Sequence, residues 1–82
     1  MDLVKLTETL IKELVNDPEE VSVKEFESDD ENSIIIEVLV SEKELGKVIG
    51  RNGKTISAIK TIVQASASIN QNKKVNINVD SY

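Results

Sequence analysis

Apolar and polar residues alternate with two different periods along this 82-residue chain, and the changes of period mark out six elements. Leu3, Leu6, Leu10 and Leu14 recur at spacings of three and four, with Val4, Ile11 and Val15 widening the stripe. That spacing predicts an amphipathic helix from Leu3 to Val15 whose broad apolar face packs on a core. Asp2 is placed to cap it, Asn16 to take its C-terminal turn, and Pro18 forbids its continuation. Val21 to Glu27 reads as a strand, Val21 and Val23 alternating with Ser22 and Lys24. Phe26 falls on the opposite parity, which predicts a bulge or an early end to the strand. Ser28 to Asn32 is a polar turn. Ile34 to Val40 is the most apolar stretch. Ile34, Ile36, Val38 and Val40 share one face, and Ile35 and Leu39 share the other with Glu37. Such a strand is covered on one face and partly on the other.

Ser41-Glu42-Lys43-Glu44 has the spacing of a capping box, in which the serine and the glutamate each bond the other's backbone N–H. It predicts a short helix ending at Ile49, with Leu45, Val48 and Ile49 turned to the core. Gly46 inside it costs roughly 1 kcal/mol relative to alanine, which a close packing contact or ligand would explain. A second helix is expected from Lys54 to Ala67. Ile56, Ile59 and Val63 form its stripe with Ile62 beside them, and Ala58, Ala65 and Ala67 permit close approach. Asn70 to Lys73 reads as a loop. Val75, Ile77 and Val79 then alternate strictly with Asn76, Asn78 and Asp80, the pattern of a half-buried strand.

The order is α-β-β-α-α-β, an α+β chain with a three-stranded mixed sheet covered on one face by three helices. The tight turn at 28–32 makes the first two strands antiparallel. The long path through two helices is what a parallel pair requires.

Composition narrows the function. The chain suits a single domain over 1–82, with 39% hydrophobic and 30% charged residues. It has no cysteine and no histidine, so thiolate chemistry, the usual general base and the commonest metal ligand are missing. Neither a catalytic residue set nor a metal or cofactor site is expected. The apolar runs fall far short of the roughly 18 residues of a membrane span. The N-terminus, with Lys5 and Glu8 close behind Met1, does not read as a signal peptide, so a cytoplasmic setting without a membrane is expected.

The net charge of −5 argues against a nucleic-acid partner until the chain is divided. Residues 1–42 hold three lysines against thirteen acids, a net of −10, whereas residues 43–82 hold seven basic residues against two acids, a net of +5. Lys43, Lys47, Arg51, Lys54 and Lys60 surround one short segment. Charge asymmetry of this kind points to nucleic-acid contact, although a charged run alone is also the ordinary form of a solvated face.

That segment is Val48-Ile49-Gly50-Arg51-Asn52-Gly53-Lys54-Thr55-Ile56. Its glycines at 50 and 53 permit positive φ and let another backbone approach. A Gly-x-x-Gly loop of this type clamps about four nucleotides of a single strand in KH domains. The loop in its α-β-β-α-α-β setting resembles the type II KH domain over essentially the whole chain, matching the Val-Ile-Gly-x-x-Gly-x-x-Ile core position for position. The short free-standing length is similar to that of the small single-domain bacterial KH proteins of the KhpA type.

The resemblance implies a cytoplasmic single-stranded RNA binder, a global RNA binder or RNA chaperone, working as a homodimer or with a second, larger KH-domain protein. Gly50 and Gly53 would turn the loop and admit phosphates. Arg51 and Lys54 would supply charge, and Asn52 a hydrogen bond to phosphate or ribose. The amides of Lys54 and Thr55 would face an anion at a helix N-terminus. Lys47 and Lys43 would extend the basic edge, and Ile49 and Ile56 would offer an aliphatic floor for bases. With one Phe and one Tyr in the chain, aromatic stacking platforms are nearly excluded. The sequence does not single out the surface that would pair; the exposed face of the helix at 54–67, with Lys60, Gln64 and Ser68, is one candidate among several.

Two other readings compete. Gly53-Lys54-Thr55 is like the end of a P-loop, but that motif requires glycine where Val48 stands and a strand, not a helix, before the loop. A protein-interaction scaffold on the same fold is the stronger rival, favoured by the acidic first half. Arg51 and Lys54 beside the glycines speak against it, because a scaffold needs no cationic clamp.

Overall fold

The strand with apolar residues on both faces becomes the centre of the sheet. In the computed structural model, which describes residues 2–82, the elements are α1 (Leu3–Lys12), β1 (Ser22–Glu27), β2 (Ser33–Val40), α2 (Glu42–Ile49), α3 (Lys54–Asn70) and β3 (Lys74–Ser81). Short helical turns occupy Pro18–Glu20 and Arg51–Gly53. The sheet runs β1-β2-β3, with β1 antiparallel and β3 parallel to β2. The order and the strand directions are those the patterning predicts.

Ile34, Ile36, Val38 and Val40 of β2 and Ile77 of β3 are buried against Leu3 and Ile11 of α1, Val48 of α2 and Ile56, Ile59, Val63 and Ala67 of α3. All three helices therefore cover one face of the sheet. The open face carries Lys24, Glu37, Asn76, Asn78 and Asp80, all exposed.

Phe26 lies on this open face too. β1 pairs residue for residue with β2, Phe26 opposite Ile35, so neither the expected bulge nor an early strand end occurs. Three residues after Val23, Phe26 falls on the opposite face, and the helices cover β1 only near its start. Glu25 and Glu27, on Val23's side, are exposed.

Two local expectations yield to long-range contacts. α1 stops at Lys12, not Val15, and its buried line is Leu3, Thr7 and Ile11, with the leucines on its flank. Asp2 does cap it, accepting the N–H groups of Val4 and Lys5 at 3.0 and 3.2 Å. Thr7 is tolerated in the core because its hydroxyl donates to the Leu3 carbonyl at 2.8 Å.

Past Lys12 the chain tightens, Leu14 N–H bonding the Ile11 carbonyl at 3.0 Å, and the next free amides meet Glu44. Its carboxylate accepts from Asn16 N–H at 2.7 Å and Asp17 N–H at 3.2 Å. The capping box at 41–44 therefore does not form. Ser41 makes no side-chain cap bond, and its buried hydroxyl has no partner among the described residues. Two amides next to Pro18 would otherwise be unsatisfied in a half-buried turn, and a carboxylate with two oxygens serves both.

No protein atom would lie within 4 Å of a Cβ at Gly46, so close packing is not the reason for it. Ala58 and Ala65 are exposed rather than packed, and only Ala67 of the three alanines is in the core.

Glu44 is held below the ordinary carboxylate range, first by the Asn16 N–H, then against the opposing effect of burial by the Asp17 N–H and the charges of Lys47 and Lys43. A folded-state pKa depressed in this way contributes stability that is present above the unfolded value and lost as pH falls through the folded one. Glu44→Gln is therefore expected to lower Tm by several degrees at neutral pH. The gap to the native chain should close as pH drops below the native Glu44 pKa. Thermal melts across that range read both effects, and a gap independent of pH would show that charge has no part in the tie.

Candidate nucleic-acid interface

The loop is built by the way α2 ends. Gly50 N–H closes the last turn on the Gly46 carbonyl at 2.9 Å, and Gly50 then leaves the helix at φ 77°, ψ 173°. That region is essentially restricted to glycine. One further bond, Gly53 N–H to the Gly50 carbonyl at 3.1 Å, folds Arg51–Gly53 into a single turn. Asn52 at φ 56°, ψ 27° and Gly53 at φ 72°, ψ 14° are both left-handed, and α3 starts directly from Gly53.

The two glycines are not equivalent. A Cβ on Gly50 would run into Thr55 Oγ1 and stand 2.6 Å from Thr55 Cβ and 3.0 Å from its nitrogen, whereas one on Gly53 would meet nothing within 4 Å. Thr55, half-buried, thus packs on Gly50 and fixes the angle between α2 and α3. That contact could not be read from the motif, which pairs the glycines symmetrically.

The expected site residues do come together. Arg51, Asn52 and Lys54 are exposed on the loop, with Gly50, Gly53, Thr55 and Ile49 half-buried beside them. Ile49 packs on the edge of the core next to the loop, and Ile56 lies within the core. Ile49 is therefore the better placed of the two as a floor for a base.

Two details differ from the expectation. Lys54 N–H is not free for an anion, because it donates to the Arg51 carbonyl. The lysines of α2 also have acidic partners: Lys47 Nζ lies 3.7 Å from Glu44 Oε1 and Lys43 Nζ 3.5 Å from Asp17 Oδ2. No ion pair engages Arg51, Lys54 or Lys60 among the described residues. The available positive charge is thus concentrated on the loop and the first turns of α3. Of the α2 lysines, Lys43 is in a surface pair of the kind that contributes little, whereas Lys47 faces the buried carboxylate of Glu44.

The structural features missed by patterning lie on α3. Gln64, on the candidate dimer surface, is half-buried and occupied. Its Nε2 donates to the Ser68 hydroxyl and the Lys73 carbonyl, each at 3.0 Å, and its Oε1 accepts from Val75 N–H at 2.9 Å, fixing the start of β3. Ile62, expected beside the core stripe, is 49% exposed, and Ile69 is 83% exposed. Together with Ala58 and Ala65 they form an uncharged line on the far side of the helix. Their spacing of four, three and four was the available signal.

Comparison with known proteins agrees with this architecture. A family model described as KhpA/KhpB, KH domain, matches residues 4–79. The RNA-binding protein KhpA of Clostridium perfringens is 45% identical over 75 residues, covering 92% of this chain and 96% of that protein. Its counterpart from Clostridium acetobutylicum is 41% identical with the same coverage. The crystal structure of Era in complex with MgGDPNP and nucleotides 1506-1542 of 16S ribosomal RNA superposes with a TM-score of 0.69 at 18% identity. That alignment covers 96% of this chain and 29% of the Era chain, and it is a likeness of fold. By the family match and by identity over nearly its full length, this chain belongs to the KhpA/KhpB family of KH domains.

Proposed function

We propose that the chain binds single-stranded RNA by clamping about four nucleotides at the loop 50–53, and that it does so in the cytoplasm as a dimer, acting as a general RNA binder and chaperone. The observation that carries this reading is the loop itself. An exposed turn with left-handed or glycine-only backbone at Gly50, Asn52 and Gly53 presents Arg51 and Lys54, neither of which has an acidic partner among the described residues. The names of the curated relatives point the same way. The acidic half favours a scaffold, but a scaffold would leave this cationic turn without use.

Few phosphates can touch so small a site. Three contacts to a single strand give a log–log salt slope of about −2, so affinity should fall roughly tenfold between about 50 and 200 mM salt. Salt-titrated binding of short single-stranded RNAs measures this directly. A chain that binds no RNA at the lowest salt would leave the scaffold reading in its place.

Weak single sites favour pairing, and α3 offers the surface. Ala58, Ile62, Ala65 and Ile69 lie on one line. In an antiparallel pair of α3 helices related by a two-fold axis, Ile62 faces the second copy's Ala65 and Ala58 faces its Ile69. Small thus meets large at these four positions, none of which is charged. A line complementary to itself in this way is the mark of an isologous interface, so a second copy is the partner it fits. α3 has 17 residues, about 25 Å at 1.5 Å per residue, and the pairing places one loop at each end of that span. An RNA long enough to reach both gains avidity without new contacts. Ile62→Asp is expected to give a monomer by light scattering with Tm unchanged, and to weaken binding of long RNAs by at least about tenfold while sparing short ones. A native chain that is monomeric at high concentration would overturn the pairing. The resemblance that implies a homodimer also admits a second, larger KH-domain protein in the same place.

A further inference from the structure

Of the seven asparagines in the chain, Asn52 alone is followed by glycine. The backbone nitrogen of the next residue can attack an asparagine side-chain amide, and the approach is least hindered when that residue has no Cβ. Asn52 is exposed, and its side-chain amide has no hydrogen-bond partner among the described residues. The attacking nitrogen, that of Gly53, is restrained by one bond to the Gly50 carbonyl at 3.1 Å in a turn of three residues. A short exposed turn of this kind opens locally with little loss of packing. Three of the other six are placed differently. Asn76 and Asn78 are held in β3 and followed by the β-branched Ile77 and Val79, and the Asn70 side chain is tied to the Ser66 carbonyl at 2.9 Å.

We propose that Asn52–Gly53 is a site of spontaneous deamidation that turns the loop off by placing a carboxylate between Arg51 and Lys54. In the opened turn the Gly53 nitrogen, losing its proton to solvent base, bonds to Asn52 Cγ. The side-chain nitrogen leaves as ammonia, and a five-membered imide remains. Water then adds to one of the two ring carbonyls. Cleavage of the Cγ–N bond gives aspartate, and cleavage of the backbone C–N bond gives isoaspartate. The sum is one water consumed and one ammonia released, with no oxidation or reduction. Either product adds a negative charge to the loop. Isoaspartate also lengthens the backbone by one methylene, which the turn closed by Gly50 and Gly53 cannot accommodate. The modification needs only the loop geometry, whereas its consequence rests on the RNA-binding reading.

The full chain would be held in warm, mildly alkaline buffer and sampled over time. Each sample would be digested and weighed for the peptide containing residues 52 and 53, tested for binding of a short single-stranded RNA, and checked by circular dichroism. The amide-to-acid mass change and a separated isoaspartyl form are expected at Asn52. RNA affinity should decline on the same time course, the converted protein binding at least about tenfold more weakly. Asn52→Gln should show neither the mass change nor drift from its own starting affinity. An unchanged mass at Asn52, while a free peptide of residues 48–56 converts in the same buffer, would overturn the proposal. Full conversion with the fold and the affinity both intact would overturn the switch while leaving the chemistry standing. An untreated chain that binds no RNA would instead defeat the RNA reading, and the mass series alone would then decide whether the site is modified.

Discussion

Replacing Arg51 and Asn52 together by aspartate should weaken single-stranded RNA binding by about a hundredfold or more and leave the fold unchanged. The change moves the loop by three charge units, removing one positive charge and adding two negative ones where phosphates are expected to sit. A hundredfold corresponds to about 2.7 kcal/mol, a modest demand on three charge units within a few ångströms of an anion. Both residues are exposed, and neither has a side-chain hydrogen bond or ion pair among the described residues. Stability should therefore stay within about 0.5 kcal/mol of native. Aspartate also tolerates the left-handed conformation at position 52 almost as well as asparagine. Fluorescence anisotropy with a labelled RNA at low salt, paired with thermal melts, reads both quantities. Equal affinity in a folded variant would place the RNA site elsewhere.

Gly50→Ala should be far more damaging than Gly53→Ala. At Gly50 the added methyl meets Thr55 on a backbone at φ 77°, ψ 173°. The conformation alone costs about 1–3 kcal/mol for a residue with a Cβ, and the collision adds to it. At Gly53 the surroundings are open, leaving only a left-handed backbone at roughly 1–2 kcal/mol. For a domain of this size each kcal/mol shifts Tm by about 4–8 °C. Gly50→Ala should then melt roughly 10–20 °C below native, and Gly53→Ala about half as far below. RNA binding should fail in the first even at temperatures where it remains folded, because α2 and α3 can no longer meet at the same angle. Similar melting of the two variants would contradict the contact between Gly50 and Thr55. Thr55→Gly in the Gly50→Ala background, which removes both colliding side-chain atoms, should recover part of the loss if the collision is its cause, whereas Thr55→Ser, which keeps both, should not.

How far such properties could be read in advance depended on the range of the interactions behind them. β3 was legible because strict alternation along one strand already determines which side is buried. The loop was legible because a motif of nine consecutive residues contains its own turn chemistry. The end of α1 was not, since it is set by a carboxylate on α2, Glu44, whose spacing to Ser41 suggested a purely local role. Phe26 was misjudged for a related reason. Parity tells which face a residue is on, but not how far the helices extend over that face. α3 was the hardest case because it has apolar residues on two sides. Its spacing picks out Ile56, Ile59 and Val63 for the core, but does not tell whether Ile62 and Ile69, on a second apolar line, are covered as well. The dual tie of Gln64 was invisible for the same reason, as both of its partners belong to the approach to β3.

The parallel pairing of β2 with β3 also gives the protein a history during synthesis. The loop emerges from the ribosome before β3, yet β3 supplies the strand on which α2 and α3 rest. A chain halted between Asn70 and Lys74 would carry every residue of the loop without the strand that packs against both of its flanking helices. Parallel strands pair only after the whole connection between them has closed. A nascent chain should therefore remain unable to grip its own messenger, or any other RNA nearby, until translation has passed Ser81.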